Sequence, residues 1–320
     1  MTTVLDRTNP ESSFGPDGKQ WAWDSTSLKR AETCPRKYQY QMLEGWQSPY
    51  RSVHLWFGGL YATALEHYHE LRAKGASHDE ALNAVVHEAL VSSWDHDLDE
   101  EGNRIPETGG PAQFDHASKN RATLIRTIIW YFEEFANDVY ETYITADGKP
   151  AVEHSFRLPV DNGLTFCGHI DRLCVDPAGE IFVHDQKTTG TTLSPRYFNG
   201  FKPDSQFSMY TFAGKMIYNA PVKGVIIDAA QIAVGFTRFG RAPTYRTDDE
   251  LNEWYDESML LIERIWSYHD REFFPRNPAS CSNFGGCEFR DVCSRPPAVR
   301  HNFLDGSFVK GERWNPIKPR

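Results

Sequence analysis

Gly168-His169-Ile170-Asp171-Arg172 and Asp185-Gln186-Lys187-Thr188-Thr189 sit either side of a turn signal, Asp176-Pro177-Ala178-Gly179-Glu180. The flanking runs, Leu164 to Val175 and Ile181 to Gln186, are rich in β-branched and aromatic residues and read as the two strands of a hairpin. With the turn centred on Ala178, facing residues have numbers that sum to about 356, so Asp171 is expected opposite Asp185 to within one or two positions. Period-two alternation then sets Lys187 on the same sheet face as Asp185. Two close carboxylates repel each other, and a hard divalent cation such as Mg²⁺ is the usual remedy. A lysine beside such a cation can orient or deprotonate a bound water. Together they form a minimal kit for metal-assisted hydrolysis of a phosphodiester. The plain alternative is a surface hairpin carrying an Asp/Lys ion pair.

Outward from the hairpin, Ala151 to Val160 supplies a third antiparallel strand, joined through Asp161-Asn162-Gly163. A helix is expected from Asp204 to Tyr218, then strands over Val222 to Val234 and Gly235 to Tyr245, and a helix from Asp248 to Asp270. Upstream the period is helical. Ser25-Thr26-Ser27 caps a first helix whose basic face holds Lys29, Arg30, Arg36 and Lys37. Gly58-Gly59 opens a second, Asp79 to Trp94 forms a third, and Asp115 to about Thr145 forms a long fourth. Glu100 to Pro111, rich in acid, Gly and Pro, reads as a loop or lid. The last fifty residues read as irregular. The expected class is α/β, a mixed β-sheet core flanked by helices, with a helical N-terminal layer and a Cys-rich C-terminal segment.

The 320 residues suffice for one large domain or two modest ones, and a 40% apolar, 24% charged composition excludes a disordered or collagen-like chain. The longest apolar stretch, around Val225 to Val234, is broken by Asp228 and Gln231 and falls short of a membrane span. A net charge of −10 excludes a protein that coats nucleic acid non-specifically, though not one with a local phosphate groove. The polar N-terminus lacks an apolar export signal, so a reducing, cytoplasmic setting is expected and the six cysteines need a role other than disulfides.

The two hairpin segments resemble the GxxDR … DxKT signature of PD-(D/E)XK nucleases of the RecB type. Gln206-Phe207-Ser208-Met209-Tyr210 is similar to that group's QxxxY helix motif, and Ser27-Leu28 with Cys34-Pro35-Arg36-Lys37-Tyr38 to its opening S-x-L … CPRKY segment. Four matches in order span residues 25 to 295. The resemblance implies a restriction-endonuclease-like core and Mg²⁺ or Mn²⁺ held by Asp171, Asp185 and the Gln186 carbonyl. Lys187 would position the attacking water, with Gln206 and Tyr210 contacting DNA or holding Lys187. It also divides the chain into an arm (1–24), a helical part with the first cysteine (25–150), the nuclease core (151–275) and a Cys-cluster segment with a basic tail (276–320).

Cys281, Cys287 and Cys293 form a C-x5-C-x5-C run around Gly285-Gly286, tight enough to bring three thiolates round one centre. With Cys34 they resemble the [4Fe–4S] staple of AddB-type and CRISPR-associated RecB-type nucleases, although the spacing is wider than the C-x2-C-x5-C form commoner there. Zinc on the same four thiolates is the competing metal, and unligated cysteines are the third reading. Cys167 and Cys174 are expected as plain core residues.

One position departs from the family pattern. Phe57-Gly58-Gly59-Leu60-Tyr61-Ala62-Thr63-Ala64-Leu65-Glu66 places Ala62 where the family carries a metal-binding histidine. Glu66, one turn along the same face, can supply an oxygen instead. His67 and His69 point from other faces and are expected in solvent. The expected function is a metal-dependent DNA nuclease, an exonuclease by analogy, acting on single strands or DNA ends in recombination, repair or phage DNA processing, with a possible helicase or recombinase partner. A catalytically weak DNA-end binding module with a structural Fe–S or zinc site is the alternative.

Overall fold

A computed structural model describes residues 11–318 except 102, 104, 106, 107 and 218–221. Its centre is a mixed sheet built from Ala22–Trp23 (β1), Val152–Pro159 (β2), Thr165–Val175 (β3), Ile181–Thr189 (β4), Val222–Ile232 (β5) and Thr237–Tyr245 (β6). The spatial order is β1-β3-β4-β5-β6, with β2 and the short strand Glu141–Thr142 on the other side of β3. Strands β2, β3 and β4 form the antiparallel meander expected from their turns, whereas β4 and β5 run parallel. A parallel pair needs a crossover, and a helix supplies it here.

Among the described residues, six longer helices flank the sheet: Ser25–Thr33 (α1), Val53–Ala73 (α2), His78–Ser92 (α3), Arg121–Glu134 (α4), Ser205–Ile217 (α5) and Asp248–Asp270 (α6). One sheet face packs Leu173, Val183, Val225 and Ile227 against Leu28 of α1, Phe207 and Met209 of α5, and Trp254 and Ile262 of α6. On the other face, Ala230 and Ile232 pack with α2, α3 and α4 through Phe57, Leu65, Val85, Leu124 and Ile128. The result is the helix-flanked mixed sheet expected from the sequence. Cys167 and Cys174 are fully buried in it. Among the described residues no helix is long and apolar enough to cross a membrane.

Several boundaries differ from expectation, each for a local reason. The first helix is capped by Asp24, whose side chain accepts the Ser27 N–H (2.9 Å) while Ser27 Oγ accepts the Asp24 N–H (3.1 Å). Such a cap contributes about 1 kcal/mol. It stops at Thr33 because Cys34, the residue before Pro35, is extended (φ −163°, ψ 111°), and the chain resumes as Pro35–Tyr38 and a wide π turn, Gln39–Leu43. Helix α2 opens at Val53 behind Ser52, so Gly58 and Gly59 lie inside it. A Cβ on Gly58 would touch Thr188 Oγ1 at 3.5 Å, which shows how near the helix runs to the end of β4. Helix α4 covers Arg121–Glu134 rather than residues 115–145, because Asn120 caps it and the chain turns into the sheet at Glu141. The third helix, His78–Ser92, ends two residues short of the expected Asp79 to Trp94 span, where Trp94–Asp95 pairs with Gly110–Pro111. The lid expected at Glu100 to Pro111 lies partly outside the described residues, as do Tyr218 and the first ten residues of the arm. The last fifty residues are more regular than expected. They hold a helix, Arg300–Ser307, and a strand, Val309–Lys310, that pairs with Trp46–Gln47.

Candidate active site

The site forms where β4 leaves β3. Their register runs from Val175↔Ile181 to Arg172↔His184, a pair whose numbers sum to 356. Beyond it β4 continues on β5 alone as far as Thr189↔Gln231. Asp171 faces the resulting gap, and its Oδ2 accepts the Gln186 backbone N–H at 3.0 Å. Gln186 thus touches Asp171 through its amide, while its side-chain polar atoms are buried without hydrogen-bond partners. Gly168 is needed at its place because a Cβ there would lie 3.0 Å from the Phe156 ring across the strand pair.

Alternation puts Asp185 and Lys187 on the α5 side. Lys187 Nζ lies 2.5 Å from Asp185 Oδ2 and 5.5 Å from the Phe207 ring centre. It also donates to Gln206 Oε1 (3.4 Å), and Gln206 Nε2 donates to Tyr210 Oη (3.0 Å). Gln206 and Tyr210 are one turn apart on α5, so a chain of hydrogen bonds runs from Lys187 through Gln206 to Tyr210.

The first hairpin delivers a residue the sequence reading missed. Glu66 of α2, Glu153 of β2 and Asp171 each offer a carboxylate oxygen within 4.8 Å of the other two, and all three are half-buried. Among the described residues this is the group that meets the spacing for a metal ion. Asp185 is outside it, drawn towards Lys187. Strands β2 and β3 pair with numbers summing to 324, which puts Glu153 across from Asp171. The turn centred on Asn162 carries that information. Glu153 has φ +45°, a left-handed conformation unusual for a non-glycine residue and costing about 1–3 kcal/mol. Ala62 lies half-buried one turn before Glu66.

The electrostatics follow from crowding acid into this gap. Burial, and after it the Asp185 charge, pushes the Asp171 carboxyl up to about 7. Burial raises Asp185 as well, against the pull of Lys187. For Lys187 burial works against the charge, but Asp185 and Asp171 outweigh it and hold the ammonium above its usual value. The two carboxylates thus favour the ammonium form of Lys187 in the gap as it stands, without a cation.

Behind the gap, the alternate residues Arg172 and His184 face α2 and α4. Arg172 is 1% exposed and hydrogen-bonds the His69 ring (2.7 Å to Nδ1). His69, expected in solvent, is thus buried, and its neutral form is favoured by burial and by Arg172. His67 pairs with Glu88 at 2.6 Å. Arg241 bonds Asp228 (2.9 Å), Asp138 (2.7 Å) and Tyr131 Oη (2.7 Å), while Tyr131 also donates to Asp228. His184 lies 3.6 Å from Asp228 and is held neutral by burial and by Arg172.

The four remaining cysteines converge at the far end of α1. The Cys287 N–H donates to the Cys281 carbonyl (3.0 Å), and Cys34 Sγ accepts the Asn277 N–H (3.4 Å). Cys287 and Cys293 pack on Tyr40, Trp46 and Phe289. No three of these thiols bring their sulfurs within 4.8 Å of one another. Tetrahedral zinc, at 2.3 Å per sulfur, would need about 3.8 Å between sulfurs. Arg36, expected on the basic face, is instead buried with Nε bonded to the Phe274 carbonyl (3.0 Å), where it ties the chain ahead of the cysteine loop to the Pro35–Tyr38 turn.

Comparison with known proteins adds a family. A profile described as the PD-(D/E)XK nuclease superfamily matches residues 23–294. No curated protein matches the sequence. Among solved structures, the chain is similar to a Eubacterium rectale protein provisionally named an exonuclease, at 12% identity and a TM-score of 0.47, over 88% of this chain and 92% of that one. It is also similar to SSO0001, at 12% identity and a TM-score of 0.31, over 76% and 77%. At such identities neither likeness bears on activity.

Proposed function

This chain belongs to the PD-(D/E)XK nuclease superfamily, and we propose on that footing that it is a Mg²⁺- or Mn²⁺-dependent nuclease that degrades DNA strands from an end, in the manner of the RecB type. The observation that carries this reading is the convergence of Glu66, Glu153 and Asp171 beside the Asp185–Lys187 pair. Four carboxylates against one lysine leave an excess of negative charge that a divalent cation offsets. Glu66, Glu153 and Asp171 would hold the cation, with Asp185 and the Gln186 backbone as the adjoining wall. Bound there, it would supply Lewis acidity towards a phosphate oxygen and a more acidic water.

The chain's own groups do the rest. Lys187, bonded to Asp185 and Gln206 at the edge of the gap, stabilises charge that grows on the phosphate during attack. Asp185 keeps that lysine protonated, and Gln206 with Tyr210 holds its direction. Glu66 takes over the place in the ligand set that Ala62 leaves vacant, one helical turn on. Cys34, Cys281, Cys287 and Cys293 would hold a [4Fe–4S] cluster, with zinc on the same four thiolates as the competing metal. In this reading the cluster clasps the chain's two ends.

The test is direct. Protein purified without oxygen should be brown, absorbing at about 400 nm, and with Mn²⁺ should progressively shorten end-labelled linear single-stranded DNA while sparing circles; EDTA should stop it. A gel shift without shortening would leave only a DNA-end binding module, and nicked circles would make the enzyme an endonuclease.

A further inference from the structure

The chemistry above makes no use of a groove that opens beside it. A cavity of about 470 Å³ runs between α1 and the cysteine loop, with Lys29, Arg30 and Lys37 on one wall, Asn283 and Cys287 on the other, and Gln206 at its inner end. Because Gln206 bonds Lys187, the groove leads straight out of the active site. Three cations and no aspartate or glutamate line it, in a chain whose net charge is −10.

The cations are unequal. Lys29, its side chain 64% exposed, reaches over to Asp204 at 3.0 Å. Lys37 takes Glu288 at 3.1 Å, and Gln41 also bonds that carboxylate at 2.6 Å. Arg30 has no carboxylate to itself. Its Nε is buried and without a hydrogen-bond partner, and burial works against its charge. A buried guanidinium nitrogen left unbonded is costly, and an anionic oxygen satisfies it best.

We propose that this groove carries the phosphodiester backbone of the strand that extends from the active site, with Arg30 as the main contact and Lys29 and Lys37 exchanging their carboxylates for phosphates. The inference rests on the nuclease reading for the identity of the anion. It also makes the cysteine loop one bank of the DNA track.

Fluorescein-labelled dT15 in EDTA is the binding probe, titrated against KCl for wild type, Lys29→Gln and the Lys29→Gln/Arg30→Gln pair. Bis(p-nitrophenyl) phosphate with Mn²⁺, too small to reach the groove, reads the active site alone. The pair should bind dT15 about tenfold more weakly, with a log–log salt slope shallower by about 0.7 per lost phosphate contact, and should hydrolyse the small diester like wild type. Lys29→Gln, at an exposed position, should show part of the slope change even if the pair proves unstable. Unchanged affinity and slope would overturn the groove. If wild type binds dT15 but hydrolyses nothing, a loss of slope in the variants still supports the groove and rejects the nuclease. Wild type that binds no oligonucleotide rejects both.

Discussion

Asp171 and Arg172 are neighbours in one strand, as are His184 and Asp185 in the next, yet each pair divides between two unlike environments. At the gap where β3 and β4 separate, Glu66, Glu153 and Asp171 lie beside the Asp185–Lys187 pair, and the gap is open enough to leave Lys187 29% exposed. On the α4 side, Arg172 and Arg241 are matched by Asp138 and Asp228, the histidines are held neutral, and the cluster is closed over by Tyr131. Alternation at period two is what lets one pair of strands carry both. The difference is one of balance. A balanced buried network fixes how β3, β4, β5 and β6 meet α2 and α4, while an unbalanced one stores a demand for a cation.

Breaking the balanced side should have the largest effect on the fold. Arg241→Met leaves Asp228 and Asp138 buried without their principal cation, and unfolding free energy from urea titration should fall by about 3–5 kcal/mol, with cleavage per folded molecule retained. A loss under about 1 kcal/mol would show that the network does not hold the layers together. On the unbalanced side the effects should be inverted. Lys187→Ala should lower the cleavage rate by about 10²–10³-fold at saturating Mn²⁺ and DNA, with a smaller change in stability, because Asp185 can take a proton in its place. Undiminished cleavage would remove Lys187 from the chemistry.

A subtler contrast lies in pH. The Asp171 carboxyl is raised to about 7 by burial and then by Asp185, against about 3.9 in an unfolded chain. Ionised Asp171 therefore costs native stability above pH 7, and that cost is relieved as the native state takes up a proton between about pH 7 and 4. Metal-free Asp171→Asn should accordingly melt a few degrees above wild type at pH 8. The gap should close as pH falls through that window, and saturating Mn²⁺ should reverse the order at pH 8. A variant less stable than wild type at pH 8 without metal would contradict the charge imbalance.

Much of this arrangement was legible in the sequence. A turn centred on Ala178 predicts the register realised in Arg172↔His184, and the capped, amphipathic run Asp248–Asp270 has the boundaries its pattern implies. What escaped is what local pattern does not encode. Arg36 belongs to the basic face by spacing, but a contact with the Phe274 carbonyl, 238 positions away, buries it. His69 looks solvated from helix periodicity, and it is Arg172 across the layer that draws it in. Glu153 could have been found by applying the turn arithmetic to Asn162 as well as to Ala178. Its left-handed backbone, by contrast, has no signature in residue type. The break at Cys34 was written in Pro35 and the helical spacing of Tyr38 and Met42 concealed it.

The central claim is that the unbalanced gap exists to hold a cation between α2, β2 and β3. Calorimetric titration of Mn²⁺ into metal-free wild type, Glu66→Gln and Glu153→Gln measures it without reference to DNA. Wild type should take up at least one Mn²⁺ with an affinity about tenfold greater than either variant, because a neutral amide is a poorer donor to a hard cation. Equal affinities in all three proteins, or no uptake by wild type, would contradict the account.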